Sequence, residues 1–585
     1  MLKKILRSVR EYRTATILTM LLVVGEVAID CVIPLIITNL VNQIDHGCGM
    51  DVIIKWAVVL VVLSLASLFF GAMAGSTCAK ASSGFARNLR KDLFYKIQGF
   101  SFENVDKFST ASLVTRMTTD TNDVQMAFMM IIRTAVRSPL MIIFSFVMAF
   151  FLGGKMAVIY AVLIPFLSFF LFLIIRKVMP LFTRVFRKYD RMNESVEENV
   201  RGMRVVKSFV REDHEKQKFA NASADVCRDF THAEKILALN NPLMQFCLYA
   251  LMVFVIFFGS RKIIQSMGTE MNVAHLSGLL TYGTQILFNL MMVSFIFVIV
   301  TISLEGMRRI VEVLDTESTI VNPADPVTEV SDGSIDFEDV SFKYALTAEK
   351  NALSHISLHI KSGETIGIIG GTGASKTTLI QLVSRLYDAT EGTVKVGGLD
   401  VRAYDLQVLR SQVAVVLQKN LLFSGTIREN LKWGNADATD EEIREACRLA
   451  QADEFVMQFP DGYDTHIEQG GTNVSGGQKQ RLCIARALLK KPKILILDDS
   501  TSAVDTRTDA LIRQGFKKYI PETTKLIIAQ RLSSVSDADR IVMMDNGEIV
   551  AVGSHEELLE NNALYREIWE SQQSAKDAGE EGNDR

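Results

Sequence analysis

Nine residues, Gly370-Gly371-Thr372-Gly373-Ala374-Ser375-Lys376-Thr377-Thr378, follow the apolar run Ile366–Ile369 and open a segment of helical spacing. Glycine-rich backbone between a buried strand and a helix N-terminus points N–H groups at phosphate oxygens. In such a P-loop Lys376 reaches the β- and γ-phosphates, and Thr377 reaches a Mg²⁺ ion. The usual pattern places Gly before the Lys, where a tight loop needs backbone freedom. Here that position is Ser375. A second apolar strand, Ile494–Leu497, ends in Asp498 and Asp499. Asp498 fits the Mg²⁺ carboxylate of a phosphoryl-transfer site. Asp499 places a second carboxylate directly after it, and a carboxylate acting as a base must come within about 3 Å of its proton.

These motifs lie in a stretch from about 333 to 571 that alternates short apolar strands with helices, an α/β pattern. The first half of the chain differs. Crossing a bilayer takes roughly 20 mostly apolar residues. Six runs qualify, at about 15–43, 52–78, 126–152, 156–180, 236–263 and 275–304. The 585 residues are 49% hydrophobic with mean hydropathy +0.21, high for a soluble protein. The basic N-terminus (Lys3, Lys4, Arg7) precedes an apolar run too long for a cleaved signal peptide, with no small-residue cleavage site after it, so it reads as an uncleaved span. A net charge of −3 gives no nucleic-acid signal. The seven cysteines are scattered without metal spacing and read as buried apolar residues outside any disulfide.

Lys and Arg cluster in the N-terminal segment and in the second-to-third and fourth-to-fifth connections, which puts both termini on the cytoplasmic side. Those two connections read as helical extensions of the spans. Their tips are expected near Ser112–Asp120 and Glu212–Phe219, as ordinary solvated turns or as contacts with the following domain. Glu26 and Asp30 share one face of the first span. Carboxylates at membrane depth face a bundle interior or a wet cavity, which makes this pair a candidate substrate or proton site unless an Arg satisfies it. Arg133 and Arg137 are expected near the cytoplasmic end of the third span.

Further motifs fall in a fixed order. Tyr344 precedes the P-loop, and Gln418 follows the strand Val413–Leu417. Val474-Ser475-Gly476-Gly477-Gln478 precedes the Asp498 strand; Ser502-Ala503-Val504-Asp505 and Ile527-Ile528-Ala529-Gln530 follow it. From about residue 10 to 570, with Glu198–Arg211 and Met307–Asp315 as further matches, the chain resembles an ABC exporter half-transporter. The resemblance implies an α-helical six-span transmembrane domain (1–320) fused to an α/β P-loop ABC nucleotide-binding domain (333–571), with a disordered tail (572–585). It implies ATP and Mg²⁺ as cofactors. Tyr344 stacks on adenine. Gly370 to Thr378 hold the phosphates, and Thr377, Gln418 and Asp498 hold the metal. Ser475, Gly476, Gly477 and Gln478 form the signature that serves a partner's ATP, and Asp505 belongs to the D-loop.

Three positions depart from that family. Ser375 replaces Gly, Asp499 replaces the catalytic Glu, and Gln530 replaces the switch His. Asp is one methylene shorter than Glu. Gln donates a hydrogen bond but does not ionise. Three departures at one site, with Gln418 beside them, imply a degenerate ATP site. The implied partner is a second, related half-transporter with intact Glu and His. The expected function is efflux of small, amphipathic molecules across a bacterial plasma membrane by a heterodimer. The Phe and Met residues of the spans suit large apolar cargo but equally suit a lipid-facing surface. A homodimeric exporter and a nucleotide-gated ABC-type regulator or channel are the alternatives.

Overall fold

The computed structural model describes residues 1–267, 269–345, 347–500 and 503–581. It divides into two units. One comprises Met1–Gly99 and Phe108–Glu317; the other comprises Phe100–Lys107 and the chain from Ser318 onward.

The first unit is helical. Among the described residues, five continuous helical stretches are long and apolar enough to cross a membrane. One of them, Thr110–Arg201, is broken at Gly154, whose φ of +54° is left-handed, so two rods lie within it. The principal helices are α1 (Arg13–Asp45), α2 (Met50–Gln98), α3 (Thr121–Ile132), α4 (Thr134–Gly153), α5 (Val158–Arg201), α6 (Glu212–Leu237), α7 (Asn240–Ser266) and α8 (Val273–Asp315). Each of the six expected apolar runs falls on this set. α2, α5 and α8 continue past their apolar windows, as the helical reading of the connections requires. Leu65, Leu68, Phe69 and Phe151 are exposed on the rods, the pattern of helices whose outer face meets hydrocarbon. Gly278 on α8 lets α1 approach, because a Cβ there would stand 2.4 Å from Thr38 Oγ1. Tyr282 donates to the Cys31 carbonyl at 2.7 Å and Tyr160 to that of Leu279 at 2.7 Å, which gives two buried hydroxyls their partners.

The expected tips of the long connections are corrected. In the first, Ser112–Asp120 does not form a free turn. Arg116 donates to the Arg309 carbonyl at 2.9 Å, and Arg309 grips Asp120 through two hydrogen bonds of 2.8 and 2.5 Å, tying the start of α3 to the end of α8. The reversal lies earlier, in a short helix Phe102–Lys107 that belongs to the second unit. Gly99 ends α2, and Ser101 and Asn104 cap the short helix through their side chains at 2.8 Å. In the second connection the tip is the short helix Met203–Ser208, and Glu212–Phe219 already belongs to α6.

The second unit holds a four-stranded antiparallel sheet, order β2-β1-β4-β5, with β1 Ile335–Phe342, β2 Leu353–Ile360, β4 Glu391–Val396 and β5 Leu399–Asp400. Its six-stranded sheet has the order β12-β11-β3-β10-β9-β6. Those strands are β3 Thr365–Gly370, β6 Val413–Val416, β9 Ile494–Asp498, β10 Thr524–Ile528, β11 Arg540–Asp545 and β12 Glu548–Gly553. A two-stranded pair, β7 Gly425–Thr426 and β8 His466–Ile467, completes it. β3, β10, β9 and β6 run parallel. The apolar runs of β3, β9 and β10 are buried throughout, as parallel strands covered on both faces must be, and β6 is buried except at half-buried Val415. Three helices matter below: α9 (Lys376–Val383), α10 (Gly476–Leu488) and α11 (Thr506–Tyr519). The last helix extends through Glu581, so helical backbone continues into the segment expected to be disordered. Residues 582–585 lie outside the described residues.

Candidate functional site

Parallel pairing lines up the carboxyl ends of four strands, the place where open α/β sheets bind ligands. Val416 pairs with Leu497, Leu497 with Ile527, and Ile527 with Gly367. Two residues beyond the Val416–Leu497 pair, Gln418 and Asp499 therefore come level. Gln530, two beyond β10, lies one step higher, level with Gly370. Residues far apart in the chain meet because the sheet order is β3-β10-β9-β6.

At Gly370 a Cβ would stand 2.1 Å from the Met544 carbonyl oxygen, so the loop leaves β3 only through glycine. Lys376 Nζ donates to the Gly370 and Gly371 carbonyls, each at 2.8 Å. Burial holds its ammonium below the usual lysine range, against the pull of Asp498 and Asp499. Ser375 is the N-terminal flank of α9 at φ +65°, ψ 25°, the left-handed conformation that glycine adopts without strain.

Thr377 Oγ1 donates to the Asp498 carboxylate at 2.9 and 3.2 Å. Asp498 is buried, and burial pushes its carboxyl above the ordinary range; Asp499 adds to the push and Thr377 opposes it. Asp499 lies at φ +49°, and its N–H donates to the Ile528 carbonyl at 3.0 Å. Gln530 Nε2 donates to its Oδ2 at 2.7 Å, and the Gln418 side chain hydrogen-bonds the same carboxylate. Burial raises this carboxyl too, and both amides oppose the rise. Tyr344 is half-exposed beside the first turn of α9, its hydroxyl 2.9 Å from Thr378 Oγ1. The structure thus brings together Tyr344, Gly370 to Thr378, Gln418, Asp498, Asp499 and Gln530.

The other motif residues gather around the start of α10. Ser475 caps it, its Oγ accepting from Gln478 N at 3.3 Å while Gln478 Oε1 accepts from Ser475 N at 2.9 Å. Gln480, which follows the signature in the sequence, accepts from Ala503 N at 3.0 Å and fastens α10 to the segment before Asp505. A Cβ on Gly477 would stand 2.8 Å from the Ala503 carbonyl oxygen. Asp505 caps α11 by accepting from Thr508 N at 2.9 Å, which holds its carboxyl below the usual range. Ser502 lies outside the described residues.

In the helical unit Glu26 and Asp30 meet an arginine. Arg137 lies 2.8 Å from Asp30 and 3.4 Å from Glu26, and Ser67 donates to Asp30 at 2.7 Å. Arg137 is therefore a counter-charge inside the bundle, one turn into α4 after the kink at Arg133. Two acids one helical turn apart were the signal that a cation had to come from another span.

Two family descriptions match. Residues 16–303 match the ABC transporter transmembrane region, and residues 353–502 match ABC transporter. An uncharacterized ABC transporter ATP-binding protein of Bacillus subtilis, YfiB, is 34% identical over 98% of both chains. A Mycobacterium tuberculosis protein of the same description is 33% identical over 99% of this chain and 100% of its own. The solved structure of a bacterial Atm1-family ABC exporter with ATP bound superposes with a TM-score of 0.83 at 24% identity, covering 96% of this chain and 98% of that one. With its transmembrane region fused ahead of one ATPase domain, the chain belongs to the ABC transporters and has the build of an ABC exporter half-transporter.

Proposed function

We propose that this chain is one half of a heterodimeric ATP-driven exporter of small amphipathic molecules in a bacterial plasma membrane, with both termini cytoplasmic. Its own P-loop site binds ATP and hydrolyses it slowly. Its Ser475–Gln478 signature completes the active site of a related partner that carries Glu and His at the matching positions. The observation that carries this reading is the setting of Asp499. Its short carboxylate is engaged by two amides, Gln418 and Gln530, and neither amide titrates.

The donor set suits magnesium. Thr377, Asp498 and Gln418 offer hydroxyl, carboxylate and amide oxygens, the hard ligands Mg²⁺ prefers alongside substrate phosphates. When bound, the ion would offset charge on the β- and γ-phosphates. The loop N–H groups and Lys376 orient those phosphates, Tyr344 holds the base, and Gln530 donates toward the γ-phosphate. None of these groups supplies the strong base that fast hydrolysis needs. Amphipathic cargo is supported by a cavity of about 630 Å³ in the helical unit, lined by Met179, Phe182, Met291, Met292, Phe295 and Asn240 among others. Thioether and aromatic walls adapt to varied apolar shapes.

The deciding measurement is Mg·ATP binding and turnover by the full-length chain, purified alone and reconstituted in lipid. Binding with little hydrolysis is expected. Brisk, vanadate-sensitive hydrolysis would refute the degenerate site and favour a homodimer. In the complete transporter, Lys376→Ala should reduce transport less than the matching change in the partner, and equal, complete losses would refute the asymmetry.

A further inference from the structure

Helix Phe102–Lys107 belongs to the ATPase unit although the chain on both sides of it belongs to the helical one. Its anchor is Tyr387, which is buried just past α9. Tyr387 Oη donates to Asp106 Oδ2 at 2.5 Å, and its ring meets Phe102 at 6.1 Å. The same ring meets Phe342 at 5.5 Å and, edge to face, Tyr344 at 5.3 Å with an interplanar angle of 88°. Unbroken ring contact thus runs from Tyr344 to the short helix. Its supports are fixed. Arg385 is clamped to Asp388 at 2.9 Å, and Arg410 donates to the Arg385 carbonyl at 2.7 Å. Burial, and then Asp106, hold the Tyr387 phenol above its usual range, so it remains a donor. The helix has a second tether, Ser101 Oγ to Thr319 Oγ1 at 2.9 Å.

We propose that Tyr387 is a positioning residue through which the nucleotide's base, rather than its phosphates, fixes helix Phe102–Lys107. A base stacked on the exposed side of Tyr344 restricts that ring. The edge contact passes the restriction to Tyr387, and the Tyr387 hydroxyl passes it to Asp106. This rests on the reading above that adenine stacks on Tyr344.

The test is hydrogen exchange of the amides of residues 100–107 in the full-length chain in lipid nanodiscs. ATP, ADP and inorganic tripolyphosphate serve as probes, each with its binding measured separately. ATP and ADP should slow exchange by about fivefold, the ratio set by one net hydrogen bond. Tripolyphosphate, which lacks a base, should not slow it when bound. Tyr387→Phe keeps the ring and removes the hydroxyl, so it should abolish the slowing at unchanged ATP affinity. Asp106→Ala should do the same from the other partner. Equal slowing by tripolyphosphate, no slowing by ATP in the native chain, or full slowing in Tyr387→Phe would each overturn the proposal. Native ATP affinity in Tyr344→Ala would overturn the stacking premise instead.

Discussion

Replacing Ser375 with glycine isolates the cost of the altered P-loop. The residue sits at φ +65° and ψ 25°, where a side chain costs roughly 1–2 kcal/mol relative to right-handed backbone. Glycine escapes that cost but loses about 0.5–1 kcal/mol more chain entropy on folding. The difference predicts that Ser375→Gly stabilises the ATPase unit by about 0.5–1 kcal/mol. For a domain of this size each kcal/mol moves the midpoint by about 2–4 °C, so the rise should be about 1–4 °C. The reciprocal change is equally clean. Gly373 has φ +86°, and a Cβ added there would meet nothing within 4 Å, so Gly373→Ala carries backbone strain without a clash. It should lower the midpoint by a similar amount. Thermal unfolding of the full-length chain, followed through the transition that ATP shifts upward, gives both numbers. A fall for Ser375→Gly, or no change in either variant, would refute the strain argument.

Four further outcomes follow from named contacts. Asp499→Glu with Gln530→His should raise ATP turnover in the complete transporter at this site, by a factor within the ~10²–10⁴ that a positioned base supplies; single-site turnover with the partner's site disabled reads it. Gly477→Ala should cost about 1–3 kcal/mol by driving a methyl to 2.8 Å from the Ala503 carbonyl oxygen, whereas Gly476→Ala, with its nearest neighbour at 3.5 Å, should be tolerated; chemical unfolding separates them. Asp120→Ala should destabilise the helical unit by about 1–3 kcal/mol, because it removes the carboxylate that Arg309 binds at 2.8 and 2.5 Å while leaving that arginine, 40% exposed, open to water; retained melting temperature would count against it. Burial holds the Asp498 carboxyl above its unfolded value, so the folded state binds that proton more tightly and nucleotide-free stability falls as pH rises from the ordinary carboxylate range through the raised value. Asp498→Asn should therefore melt higher than the native chain at neutral pH without nucleotide while losing Mg²⁺-dependent ATP binding, and a lower midpoint would contradict the sign.

The amino-acid order determined which segments are long and apolar enough to cross a membrane and which residues form the strand–glycine loop–helix. Both depend on local composition. An apolar run of sufficient length has only one low-energy way to satisfy its backbone in hydrocarbon, and a strand–glycine loop–helix has one way to present its N–H groups. The three departures at Ser375, Asp499 and Gln530 were legible for the same reason, since each is a single residue read against its motif.

What the tertiary structure decided are the pairings made by sheet order and helix packing. No spacing announces that Gln418 and Gln530 bond one carboxylate; that follows from β6, β9 and β10 being neighbours in register. Nor does sequence reveal that Ser375 is left-handed, because a serine in a loop is compatible with several backbone wells. The first connection turns at Phe102–Lys107 rather than at Ser112–Asp120 because Arg309, nearly two hundred residues later in the chain, binds Asp120 inside the helical unit. Arg137 finds Glu26 and Asp30 for the same physical reason: a buried charge takes its partner from whichever helix packing brings alongside, and chain distance does not enter that energy.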